Sequence, residues 1–242
     1  AIVKGTKSET VIEHLSKLPK SLRNKVKEIT LDMAGSMKQI AKRCFVNATQ
    51  VIDRFHVQKL ASEALQNIRI KHRWIEMDNE NNAITHAKCT NKTYSPDILS
   101  NGDTKKQLLA RSRHLLYKSP NNWTIDQQDR AKLLFELYPE IEQAYDLTNK
   151  LRAIYNKLIP KEIAMTKLAY WFNQVENTNL KQFNTVTKTF MLHYADILNY
   201  FNDRSTNASA ESFNAKIKYF RMMYRGVRDK SFFLFRLSKL FA

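Results

Sequence analysis

The sequence predicts an α/β chain that is predominantly helical, and three features carry that expectation. Four glycines and five prolines in 242 residues are too few for a turn-rich β architecture or a disordered chain. A strand–helix–strand pattern spans residues 26–57, and strand signals nearly vanish after it. From residue 58 onward, apolar residues recur at three- and four-residue spacing, the pattern of packed helices. With 43% hydrophobic residues and 13 phenylalanines, the chain has material for a core. Its length fits one large domain or two ordinary ones.

Residues 8–18 read as a helix capped by Ser8, with Val11, Ile12 and Leu15 at helical spacing and Pro19 marking its end. "VKEITLD" (26–32) alternates apolar and polar residues with β-branched content and reads as a strand ending at Asp32. "MAGSMKQIAKRCF" follows as a helix with Met33, Met37, Ile40, Ala41 and Cys44 on one face. "ATQVIDRFHV" (48–57) is a second strand running into a long helix through Leu60, Ala64, Ile68 and His72. Residues 88–103, with Pro96, Asn101 and Gly102, form a loop; "TKKQLLARSRHLLYK" (104–118) reads as one basic amphipathic helix. Thr124 and Gln127 make a capping box for the next helix. Beyond Pro139, a stripe runs from Ile141 through Ala144, Tyr145, Thr148, Leu151 and Tyr155 to Leu158. Helices over about 162–176 and 180–202 follow; in the second, Phe183, Val186, Phe190, Tyr194, Ile197 and Phe201 hold the stripe. These aromatic stripes read as core.

Forty Lys and Arg against 23 Asp and Glu give a net charge of +17. Charge at this density favours a polyanion, because neutralising phosphates releases condensed counterions; the alternative is a chain that is simply basic. Cys44 and Cys89 form no C-x-x-C pair and no disulfide framework, which predicts reduced thiols and an intracellular setting. Nothing approaches the apolar run of a membrane helix, and no signal peptide is apparent. The opening Ala1-Ile2-Val3-Lys4 suggests a piece of something longer that starts mid-strand.

Three positions suggest chemistry. Asp32 falls where a parallel strand hands over to a helix, the edge at which open α/β sheets place ligands; the competing reading is a cap for a helix starting at Met33. Asp53 and His56 lie three residues apart and share a face if the helix has begun by then, though a single D-x-x-H is also a common local polar contact. In "NASAESFNAKIK" (207–218), Asn207, Glu211, Asn214 and Lys218 recur as one polar stripe, opposite Phe213, Ile217 and Phe220, which should be buried. Ala208, Ser209, Ala210 and Ala215 are small enough for a polynucleotide backbone to come close. The plain alternative for Glu211 is a solvated carboxylate. Carboxylates converging from separate elements repel one another, and hard divalent cations remove that cost; two such ions can drive in-line phosphodiester displacement.

"EITLDMAGSMKQIAKRCFVNATQVIDRFHVQKLASEAL" and, later, "RSTNASAESFNAKIKYFRMMYRGVRDKSFFLFRLSKLF" resemble bacterial insertion-sequence transposases of the ISL-three family, over essentially the whole chain. The resemblance implies a partial RNase H-like core interrupted by a large all-α insertion domain. It also implies a DDE carboxylate triad holding two Mg²⁺ (or Mn²⁺) ions, and hydrolysis and strand transfer at transposon ends. By that pattern Asp32 is the second triad member and Glu211 the third, both metal ligands, with Asp53 and His56 as an auxiliary motif. Assigning Asp53 as the second member is the alternative. The family's first aspartate has no counterpart before Asp32, and residues 1–4 resemble its third strand, so the chain is expected to be truncated at the N-terminus and inactive alone. The expected division is 1–60 and 191–242 for the core and 61–190 for the insertion. The implied partners are double-stranded DNA, at transposon ends and target, and further copies of the chain in a dimer or larger synaptic complex, with no membrane. The implied location is the bacterial cytoplasm, at the nucleoid.

Two basic groups are candidate DNA contacts: Lys216, Lys218, Arg221, Arg225 and Arg228, with Asn207 and Asn214 nearby; and Lys105, Lys106, Arg111 and Arg113, with Lys118, on the 104–118 helix. Trp74, Trp123 and Trp171 could stack on a base but are more simply explained by packing. Two other classes compete with a transposase: a non-catalytic DNA-binding descendant, and an RNase H-like nuclease without strand transfer.

Overall fold

The structure is a computed structural model and describes residues 7–226 and 228–241; the expectation about residues 1–4 lies outside them. The chain forms two compact units, one of Ala1–His56 with His193–Ala242 and one of Val57–Leu192.

The first unit opens with α1 (Ser8–Ser16) and α2 (Lys20–Arg23). Ser8 is not the cap. Lys7 holds that position, and the Ser8 hydroxyl donates instead to Gln39 Oε1 at 2.9 Å. Pro19 precedes α2, its fixed φ leading into the new helix. Next come β1 (Glu28–Leu31), α3 (Gly35–Cys44) and β2 (Thr49–Ile52), with the strands parallel in register from Glu28↔Thr49 to Leu31↔Ile52. A parallel pair needs a crossover, and α3 supplies it. Ile40, Ala41 and Cys44 are buried as expected, but Met37 is 47% exposed and Met33 precedes the helix. The helix starts two residues later than the sequence suggests, which leaves Met33 outside it. Arg23 Nη1 donates to the Cys44 carbonyl at 3.0 Å, a cation at the end of α3.

The second unit is all helix among the described residues: α4 (Arg54–Cys89, beginning in the first unit), α5 (Lys105–Arg111), α6 (Ile125–Leu137), α7 (Pro139–Asn156), α8 (Lys161–Asn177) and α9 (Lys181–Leu192). The expected 104–118 helix stops at Arg111 and resumes as a 3₁₀ turn at Leu115–Tyr117. There Ser112 is buried with its hydroxyl bonded to the Leu108 carbonyl, and Leu115 and Leu116 turn inward. Capping boxes form at Thr104/Gln107 and Thr124/Gln127, each satisfying two end groups. The α7 stripe is buried through Tyr155, whereas Leu158 is 85% exposed because the helix ends at Asn156. Trp171 stacks on Phe190 at 5.7 Å and donates to the Leu147 carbonyl; Trp123 stacks on Tyr145 at 5.3 Å and donates to the Leu115 carbonyl. Both are packing residues, their N–H groups satisfied.

The expected helix over 180–202 is two helices. It breaks at His193, and α10 (Tyr194–Asp203) returns the chain to the first unit. Phe190 and Ile197 are thus buried in different units, a division that periodicity does not reveal. α10 packs on β2: Asn199 Nδ2 donates to the Gln50 carbonyl at 2.9 Å, and Asp196 pairs with Lys38 of α3 at 2.6 Å. α11 (Ala208–Met223) and α12 (Lys230–Phe241) complete the unit. Of the apolar side expected of α11, Phe220 is buried, Ile217 half-buried and Phe213 44% exposed.

Candidate active site

The carboxyl end of the two-stranded sheet gathers the acidic positions. The Asp53 N–H donates to the Leu31 carbonyl at 3.1 Å, extending the ladder past β2. Continuing the register by one residue sets Asp32 beside Asp53, with backbones about 5 Å apart. Both carboxylates therefore start from one edge of the sheet, where the two strands end.

Their environments differ. Asp53 is 2% exposed, and both its oxygens are engaged. Oδ1 accepts the Phe55 N–H at 2.7 Å, which caps α4; Oδ2 accepts the Asn207 N–H at 2.6 Å. Asn207 is the N-cap residue of α11, so one carboxylate meets the starts of two helices 154 residues apart. Negative charge there is favoured by both helix dipoles. Asp32 is half-buried, its Oδ1 accepting the Ala34 N–H at 2.9 Å in a local turn. It is not the cap of α3, which belongs to Ala34.

The Asp53–Asn207 bond brings α11 to the sheet edge. Glu211 lies one turn into that helix, its N–H donating to the Asn207 carbonyl at 2.8 Å, about 6 Å along the axis. Glu211 is exposed, as are Asn214 and Lys218 on the same stripe and the small residues Ala208, Ser209, Ala210 and Ala215. His56 donates its backbone N–H to the Asp53 carbonyl and sets its ring edge-on to Phe55 at 5.6 Å. Asp53 immediately precedes the helix that contains His56, so the two occupy its cap and its third position. The signal available in the sequence was an aspartate just ahead of a helix, a cap signature. Nothing in the sequence pointed to its second partner at Asn207.

Asp32 and Glu211 supply the oxygen donors that a hard divalent cation prefers. Among the described residues, however, no three His, Cys, Asp or Glu side chains converge as a ligand set. The donor chemistry fits such an ion, but the described residues do not complete its site.

The basic candidates separate by unit. Lys216, Lys218, Arg221, Arg225 and Arg228 are all exposed, and none forms an ion pair among the described residues. Four of them line a groove of about 840 Å³ with Tyr224 and Phe233. In the all-α unit, Lys106 pairs with Glu80, Arg111 pairs with Asp103, and Lys118 donates to Gln127. Much of that predicted cluster is used to hold the unit together, while Lys105 and Arg113 remain exposed. Trp74 is 59% exposed. No described helix is long and apolar enough to cross a membrane.

Comparison with curated proteins and with solved structures gives no match. A family model of DDE transposases, described as "Transposase", matches residues 1–237. That span takes in Asp32, Asp53, His56 and Glu211 together. The chain belongs to the ISL-three family of DDE transposases.

Proposed function

We propose that this chain is the catalytic core of a DNA transposase, an RNase H-like fold interrupted by the all-α unit, which hydrolyses phosphodiesters at transposon ends and transfers the freed 3′-hydroxyl to target DNA. The observation that carries the proposal is the Asp53–Asn207 bond, which ties the start of α11 to the sheet edge beside Asp32. The bond supports bringing Glu211, 179 positions from Asp32 in sequence (211 − 32), toward the same end of the sheet. Asp32 and Glu211 are the metal-ligand candidates because their carboxylates are less enclosed than that of Asp53. Asp53 is a positioning residue, and His56 shapes the same helix start. When bound, a divalent cation supplies positive charge against the charge that builds up during phosphodiester displacement. Asn207, Asn214, Lys216, Lys218, Arg221, Arg225 and Arg228 hold the DNA backbone, and the small residues of α11 let it come close.

The test is calorimetric titration of the chain with Mn²⁺, beside Asp32→Ala and Glu211→Ala. Binding heat that disappears in both variants supports a shared site. Equal heat in all three proteins refutes it. Strand transfer of pre-cleaved ends by the transposase carrying this chain, lost in Asp32→Asn, separates a transposase from a nuclease that only hydrolyses. One observation favours a second reading, a non-catalytic DNA-binding descendant: no three-ligand cluster forms among the described residues. DNA binding with no Mn²⁺ heat selects that reading.

A further inference from the structure

Within the all-α unit, three arginines gather without a counterion. Arg69 is 5% exposed; its Nε donates to Gln66 Oε1 at 2.7 Å and its Nη1 to the Leu109 carbonyl at 2.8 Å. Gln66 donates in turn to the Arg113 carbonyl at 3.2 Å, which holds the turn after α5 beside Arg69. Arg73 lies four residues on from Arg69 along α4 and shares its face. Both Arg73 and Arg113 are exposed. Among the described residues, no carboxylate forms an ion pair with any of the three. Burial, followed by the charges of Arg73 and Arg113, holds the Arg69 guanidinium below its ordinary value.

This arrangement differs from the rest of the unit's basic residues. Lys106 and Arg111 each pair with a carboxylate of the unit, whereas the fixed Arg69 has only neutral hydrogen-bond partners and two further cations beside it. A buried charge without a counterion is costly, and an incoming anion offsets that cost. Guanidinium groups match phosphate oxygens in pairs.

We propose that Arg69, Arg73 and Arg113 form a phosphate site through which the all-α unit grips the backbone of duplex DNA, with Arg73 and Arg113 touching it and Arg69 fixed beneath them. The inference rests on the transposase reading for its choice of polyanion. The experiment measures duplex binding by fluorescence anisotropy across a salt series. It compares the chain with three double variants: Arg73→Gln with Arg113→Gln, Lys132→Gln with Lys188→Gln, and Lys218→Gln with Arg221→Gln. All six positions are exposed, so the fold should survive, and thermal melts check that it does. Each lost phosphate contact lowers the slope of log K against log salt by about 0.9. The arginine pair should therefore lower it by about 1.8, and the Lys132/Lys188 pair should leave it unchanged. An unchanged slope in the arginine pair, or an equal drop in the Lys132/Lys188 pair, overturns the inference. If the Lys218/Arg221 pair still lowers the slope in that case, the transposase reading stands. No salt-dependent binding by the unaltered chain overturns both.

Discussion

Replacing Asp53 with alanine tests the element on which the candidate site depends. Two bonds are lost, to the Phe55 N–H at 2.7 Å and the Asn207 N–H at 2.6 Å. Loss of the α4 cap costs about 1 kcal/mol. The Asn207 N–H, left facing a void at a half-buried position, adds about 1–3 kcal/mol. The expected total is about 2–4 kcal/mol, read as a lower denaturation midpoint in urea for the unit that contains the sheet. Amide exchange at Asn207 and in the first turn of α11 should speed up by more than exchange in β2, because the helix start is released while the strand ladder remains. Asp53→Asn keeps one acceptor but sets its NH₂ against an N–H group, so it should fall between the two. A loss below about 0.5 kcal/mol, with Asn207 exchange unchanged, would show that the bond does not anchor α11.

Other outcomes follow from the same structure. Asp103→Ala removes a carboxylate with a 1% exposed side chain that pairs with Arg111 and Arg130; the all-α unit should lose about 3–5 kcal/mol, measured by denaturant unfolding. Thr124→Ala breaks the capping box of α6 and should cost about 1 kcal/mol; a loss indistinguishable from zero argues against the cap. Trp171→Ala, at a position 2% exposed, should cost about 3–5 kcal/mol, with proteolytic sensitivity appearing first in α8. Burial, with the charge of Lys38 adding to it, pushes the His193 imidazole below its ordinary value, partly opposed by Asp196. The folded protein thus keeps this ring neutral where the unfolded chain already binds a proton. Stability from His193 is complete above the ordinary imidazole range and is lost as pH falls through about 6.5. His193→Gln should flatten the melting temperature against pH between about 7.5 and 5; an unchanged profile contradicts the assignment.

Local interactions explain what was legible in the sequence. The parallel strands, the crossover helix, the Thr124 capping box and the α7 stripe all depend on neighbours within a few residues, and each appears where the pattern put it, within two or three positions. The departures share a cause. The 104–118 segment has helical periodicity, but Leu115 and Leu116 turn toward a core that periodicity does not locate. The 180–202 stripe is continuous in sequence although the chain changes units at His193. Asp53 lies one residue ahead of the helix, so its carboxylate caps the helix start, and its second partner at Asn207 comes from a distant part of the chain.

The sequence alone determined the fold class, the basic character and the acidic positions worth testing, since composition and short-range spacing are written in the chain itself. Tertiary structure alone decided which charges are available. It paired Lys106 and Arg111 with carboxylates of the same unit, left Arg69 and its neighbours without one, and joined Asp53 to a helix start 154 residues away. The physical reason is that a charge's role depends on what lies within a few ångströms of it, and for most of these residues that neighbour comes from a distant part of the chain.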